Sequence, residues 1–166
     1  MIPPPHPNAI QRSLQTLSAS AFGAKIFSYT FHHIDRPLLQ ATDGRFALSS
    51  LLGGLPIVIL TTTGAKSGQP RAIPLIAIPD GEKIFLIASN WGGKNYPAWY
   101  HNLRANPRAK VTYGGKTRAF VAHEAKGKEY ETYWQRAVDL YKGYALYKTR
   151  TGGRPIPIMV LEPRDE

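Results

Sequence analysis

Between Leu60 and Pro74 the sequence LTTTGAKSGQPRAIP places two glycines, a lysine, a serine and an arginine in a loop flanked by β-branched and apolar residues. Gly64 and Gly68 let the backbone enter positive φ and bring N–H groups close to a ligand, while Lys66 adds a point charge and Arg71 a forked one. That is the composition of an anion cradle, and phosphate is its natural guest. It is not a P-loop: Lys66 and Ser67 precede the second glycine, and Pro70 and Pro74 favour extended backbone where a P-loop enters a helix. The alternative is an ordinary polar hairpin connection, which the same residue types populate freely.

Two further constellations carry potential chemistry. The stretch ASNWGGKNYPAWYHN, from Ala88 to Asn102, joins a glycine pair to a lysine, amides and two tryptophans. At a strand end such a loop can admit a flat ring beside Gly92 and Gly93, with Ser89 donating a hydrogen bond; the alternative is a loop anchored by core aromatics, Trp99 and Tyr100. In YKGYALY, Tyr141, Tyr144 and Tyr147 recur every three residues and fall on one side of a helical or 3₁₀ segment, where phenols can pack on a planar substrate and donate protons. Other machinery is missing. There is no G-x-S-x-G, H-E-x-x-H or G-x-G-x-x-G, and the five histidines are scattered without ligand spacing, so no metal site is expected. An enzyme built this way leaves the reaction to a cofactor.

The elements that must position these groups follow from periodicity. Residues 1–8, with four prolines, are non-helical. From Asn8 onward Ile10, Leu14, Leu17 and Ala21, continued by Phe22, Ile26 and Tyr29, give an amphipathic N-terminal helix that either packs on the body or lies on an anionic membrane surface, with Arg12, Lys25 and Arg36 near headgroups. A second helical piece starts near Asp35 and Pro37. Then come strands over Ile57–Thr63, Arg71–Ile78 and Lys83–Ser89, with a turn at Pro79-Asp80-Gly81-Glu82 between the last two. A short helix over Pro97–Asn106 follows, then a hairpin of Lys110–Tyr113 and Thr117–His123 about Gly114-Gly115, a helix over Gly127–Leu140 and a last strand at Ile156–Leu161. Short connections favour antiparallel pairing, so the expected fold is α+β, a small barrel with helical insertions. Residues 1–54 read as an N-terminal appendage and 55–166 as the barrel domain.

The 166-residue chain is large enough to bury a core without staples, and it has no cysteine, so disulfides and thiolate metal sites are ruled out. Its net charge of +10, from 21 Lys and Arg against 11 Asp and Glu, favours anionic partners. No apolar run is long enough to span a bilayer, and the first residues lack the apolar region of a signal peptide, so a cytoplasmic protein, or one peripheral at the inner face of the cell membrane, is expected.

Taken in order and spacing, LTTTGAKSGQPRAIP, ASNWGG, KNYPAWYHNLRANP, the tyrosine row and IPIMVLEP resemble the deazaflavin-dependent nitroreductase family of actinobacteria, several of whose members are quinone reductases. The resemblance runs from about Leu55 to Pro163. It implies a split β-barrel, coenzyme F-420 (an 8-hydroxy-5-deazaflavin) as cofactor, and hydride transfer to a quinone, menaquinone among the candidates, with nitroaromatic reduction as a side activity. By the same resemblance, Lys66 and Arg71 bind the cofactor's phosphate and acidic tail in a cradle shaped by Thr62, Thr63, Gly64, Ser67 and Gly68. Ala88, Ser89, Lys94, Asn95, Trp99 and Asn102 surround its ring. Tyr141, Tyr144 and Tyr147 line the substrate pocket and act in catalysis with Ser89. The sequence departs from the family at Ala65, where Arg is usual, and at TRTGGRP (149–155), where a tighter T-x-R is usual. Two rival readings are a flavin-mononucleotide-dependent oxidoreductase on the same barrel and a basic module for single-stranded nucleic acid; the latter is disfavoured because no basic run or nucleic-acid motif accompanies the charge.

Overall fold

A computed structural model of the chain describes residues 2, 8, 10–11, 29, 31–42 and 54–164. The expected N-terminal amphipathic helix falls largely outside the described residues, as does most of the appendage expected up to residue 54. A π-helical turn, Phe31–Asp35, runs into helix α1 (Arg36–Ala41), which carries Pro37 in its first turn as expected. Seven strands follow: β1 (Ile57–Thr63), β2 (Pro70–Ile76), β3 (Ile78–Asp80), β4 (Lys83–Ile87), β5 (Arg108–Tyr113), β6 (Lys116–Glu124) and β7 (Ile158–Pro163). Helix α2 (Ala98–Ala105) lies between β4 and β5; α3 (Gly127–Leu140) and α4 (Gly143–Arg150) lie between β6 and β7.

Every strand pair is antiparallel, and the order across the sheet is β2-β1-β5-β6-β7-β4-β3. The two edge strands, β2 and β3, are separated in the chain by Ala77 alone. A flat sheet of this order would hold its edges roughly 29 Å apart, six spacings of about 4.8 Å, whereas two peptide links reach only about 7 Å. The sheet therefore curls until one continuous segment serves both edges, the closure of a split β-barrel. The single strand expected over Arg71–Ile78 is thus two: at Ala77, whose N–H donates to the Pro56 carbonyl at 3.0 Å, the chain leaves β1 and joins β4. The alternation of side chains passes through this point unbroken, so nothing local marks the change of partner. The last strand also sits two residues later than expected.

Alternation along the strands builds two cores. Val58, Leu60, Ile84, Leu86, Met159 and Leu161 point into the barrel with Trp99, Leu103 and Phe120. Phe85, Ile87, Ile158 and Val160 face the other way, against Tyr133 and Ala137 of α3 and Tyr144 and Tyr147 of α4. β4 and β7 are buried on both faces, which is why they read as unbroken apolar runs. The hairpin turns take the conformations their residues favour: Gly114 and Gly115 both adopt positive φ, as a two-residue turn between right-twisted strands requires. Asp80 ties α3 to the β3–β4 turn by accepting hydrogen bonds from Arg136 and Tyr133, each at 2.8 Å. Among the described residues no helix is long and apolar enough to cross a membrane.

Candidate active site

The β1–β2 connection, residues 64–69, is closed across its base by the Gly64 N–H donating to the Gln69 carbonyl at 2.9 Å and the Gly68 N–H to the Gly64 carbonyl at 2.8 Å. Gly68 has φ +66°. A Cβ on Gly64 would lie 2.6 Å from the Ser67 hydroxyl oxygen, so that position has no room for a side chain. Arg71 donates to that same hydroxyl at 3.3 Å, which holds the guanidinium over the loop. Beneath it, Asn102 of α2 works in both directions: its Oδ1 accepts from the Ala65 N–H and its Nδ2 donates to Thr62 Oγ1, both at 3.0 Å. The amide expected beside the ring thus also braces the Gly64–Gln69 loop from below, while lining the same cavity. Lys66 and Arg71 face an open cavity of about 940 Å³ that also meets Tyr96, Trp99 and His101.

A second cavity, about 370 Å³, lies between β2, the 88–93 loop and α4, with Ser89, Trp91, Trp99, Tyr141, Tyr144 and Tyr147 in its wall. Ile73, Ala98 and Trp99 belong to the walls of both cavities, so the two adjoin, one with cationic side chains in its wall and the other with phenols. Neither wall contains an Asp or Glu. That suits an anionic, flat guest, because no carboxylate must be desolvated beside it. A further cavity, about 630 Å³, opens at the far end of β5 and contains none of the expected site residues.

The tyrosines reach the cavity from two elements. Tyr141 ends α3 in an extended conformation, and Tyr144 and Tyr147 lie one turn apart on α4. Their rings meet edge to face, with centroids 5.3, 6.0 and 6.2 Å apart, and the Tyr141 and Tyr147 hydroxyls share a hydrogen bond of 3.1 Å. This cluster depends on Gly143, where a Cβ would stand 2.3 Å from the Tyr141 ring. Burial drives the Tyr144 phenol well above its ordinary pKa, and burial followed by the neighbouring Tyr141 does the same for Tyr147. Both stay protonated at any physiological pH, so each carries an O–H that can donate and neither can serve as a base.

The remaining expected residues divide between the cavity walls and positions outside them. Thr62 and Ser67 line the cradle cavity, while Thr63 and Gly68 shape the loop from outside the walls. Ala88 is fully buried, with its carbonyl turned toward Arg154. Lys94 and Asn95 are exposed on the outer side of the 88–95 loop and line neither cavity, and the Asn95 carbonyl accepts from Asn90 Nδ2 at 3.0 Å. Sequence reasoning did not single out Trp91, Ile73 or Tyr96 as wall residues. Trp91 was within reach, since it sits inside the ASNWGG motif. Ile73 has the look of any strand residue, and only closure of the barrel turns it toward the two cavities.

Comparison with known proteins places these features in a lineage. The family described as F420H(2)-dependent quinone reductase matches residues 34–163. An F420H(2)-dependent quinone reductase of Mycobacterium tuberculosis is 35% identical over 130 residues, covering 76% of this chain and 86% of its own length. Among solved structures, an F420-H2 dependent reductase (FDR-A) is 42% identical with a TM-score of 0.59, covering 64% of this chain and 94% of its own. A second chain, solved as a domain-swapped dimer, is 38% identical with a TM-score of 0.62, covering 82% and 99% respectively. With its curled antiparallel split-barrel sheet and a family match over most of its length, the chain belongs to the F420H(2)-dependent quinone reductase family.

Proposed function

We propose that this F-420-dependent reductase delivers hydride to a quinone seated in the tyrosine-lined cavity, with menaquinone-like and nitroaromatic acceptors within its range. The observation that carries this reading is the adjacency of the two cavities, the cationic and the phenolic, which share Ile73, Ala98 and Trp99 in their walls. Reduced F-420 supplies the hydride. In this reading Lys66 and Arg71 hold its phosphate and carboxylate groups, and Asn102 keeps the cradle loop at the right height over Thr62. Trp99, shared by both walls, would help hold the F-420 ring where the two cavities meet. Ser89 and Tyr144 donate hydrogen bonds to the acceptor oxygen as negative charge develops there, and Tyr147 is held ready by its bond to Tyr141. Because both reactants are confined to adjoining walls, proximity and orientation supply much of the rate.

The test is anaerobic mixing of the protein with reduced F-420 and a soluble menaquinone analogue. Quinone-dependent recovery of the oxidised deazaflavin absorbance is expected; no recovery with quinone, alongside recovery with another acceptor class, would reassign the substrate. We further propose that the segment before residue 30 contacts an anionic membrane surface. Co-sedimentation with anionic liposomes, lost on deletion of residues 1–31 while cofactor affinity is kept, is the expected result.

A further inference from the structure

Arg154 lies in the Gly152-Gly153 segment between α4 and β7, and its side chain makes a dense set of hydrogen bonds beside the two cavities. Nε donates to the Gly93 carbonyl at 3.1 Å. Nη1 donates to the carbonyls of Ala88 at 3.3 Å and Pro155 at 3.0 Å, and Nη2 to those of Ser89 at 2.8 Å and Gly93 at 2.9 Å. A guanidinium has five N–H donors, and these five bonds use them all. None is left for a phosphate or a carboxylate. The guanidinium carbon also sits 4.7 Å from the centroid of the Tyr96 ring, which belongs to the cradle wall.

The loop these bonds hold is not one the chain adopts freely. Asn90 and Trp91 are consecutive non-glycine residues in the left-handed region, at φ 49° and 56°, where Cβ crowds the following carbonyl. On the other side the loop is pressed against α4: a Cβ on Gly92 would lie 3.1 Å from Arg150 Cβ and 3.2 Å from the Tyr147 backbone. So clamped, the loop aims the Trp91 ring edge-on at Tyr147, 6.2 Å between centroids, and sets Ser89 in the cavity wall.

We propose that Arg154 is a positioning residue for hydride transfer: its saturated guanidinium fixes the 88–93 loop, and through it Ser89 and Trp91, at the junction of cradle and tyrosine cavity. It acts on alignment and not on cofactor charge. The proposal rests on the function inferred above, and its test separates the two.

Arg154→Gln and Arg154→Lys would be compared with the native protein by F-420 titration, steady-state quinone reduction and ¹H–¹⁵N NMR without cofactor. F-420 affinity is expected to stay nearly constant while kcat falls about 10–100-fold in Arg154→Gln, the scale of an ångström-level misplacement. Lysine, which offers three donors, should recover part of the loss. In the cofactor-free spectrum the Trp91 indole and the Gly92 and Gly93 amides should shift while the Trp134 indole holds still. An affinity loss as large as the kcat loss would make Arg154 a cofactor contact and overturn the proposal. So would native kcat with an unmoved Trp91 signal. If the glutamine variant does not fold, a lysine variant with full kcat and native Trp91 and glycine signals overturns it, and one with reduced kcat and shifted signals upholds it. Failure of the native protein itself to bind F-420 would sink the function reading instead, and the NMR comparison would still decide whether Arg154 sets the loop.

Discussion

Replacing Gly143 by alanine adds a methyl group where the Tyr141 ring already lies. The new Cβ would stand 2.3 Å from two ring carbons and 2.6 Å from the phenol oxygen, far inside carbon–carbon contact distance. Helix propensity alone argues the other way, since alanine in place of glycine gains up to about 1 kcal/mol within a helix. Sterics should win. The ring must swing away by more than an ångström, which costs about 1–3 kcal/mol as overpacking and loses about 1 kcal/mol from the 3.1 Å bond to Tyr147. The net is a destabilisation of about 1–3 kcal/mol, or a fall in Tm of roughly 3–10 °C for a chain of this size. Thermal unfolding followed by circular dichroism measures the first effect, and KM for the quinone, expected to rise with little change in F-420 affinity, measures the second. A double-mutant cycle isolates the cause: in a Tyr141→Ala background, where the ring is gone, Gly143→Ala should be neutral or stabilising. A single variant as stable as the native protein with an unchanged KM would refute the argument that Gly143 exists to seat Tyr141.

Lys66→Ala and Arg71→Ala should each weaken F-420 binding by about 1–3 kcal/mol, the scale of a charge-assisted hydrogen bond, as read by fluorescence titration; unchanged curves would remove the cradle assignment. Asn102→Leu should loosen the cradle by deleting both of its bonds, and F-420 affinity should fall although Lys66 and Arg71 are intact. Tyr144→Phe keeps the ring and removes the donor, so quinone kcat should drop by roughly 100–1000-fold with little change in Tm; equal kcat would exclude it as the oxyanion donor. The Asp80 carboxyl is held below its ordinary pKa by its hydrogen bonds from Arg136 and Tyr133. A depressed carboxylate stabilises the fold above its unfolded pKa and stops doing so as pH falls through the folded value, so Asp80→Asn should flatten the loss of stability below about pH 4. Burial and the Asp80 bond push the Tyr133 phenol up to about 12. A raised pKa gives stability that is complete below the unfolded value and fades above it, so urea midpoints should decline between about pH 10 and 12, less steeply in Tyr133→Phe.

Much of this protein is decided locally. Alternation and β-branching mark the strands, Gly114-Gly115 marks a hairpin, and the strand-flanked GAKSGQPR loop announces an anion site, because turn chemistry and charge are properties of neighbouring residues. Regular spacing likewise exposed the tyrosine row. What the sequence could not convey is which distant groups meet. The switch of partners at Ala77 is invisible in an alternation that continues through it, yet it curls the sheet into the split barrel and places Ile73 and Trp99 in the walls of both cavities. Asn102 lies in a motif read as part of the ring site, and only the fold shows that it also supports a loop 37 residues away. Lys94, a cation beside a glycine pair, points outward, while Arg154, in a segment with an unfamiliar glycine pair, takes the central position. The reason is common to all of them. Composition sets what a residue can do, but burial and hydrogen-bond partners come from strand register and chain closure, which bring together residues that no local pattern relates.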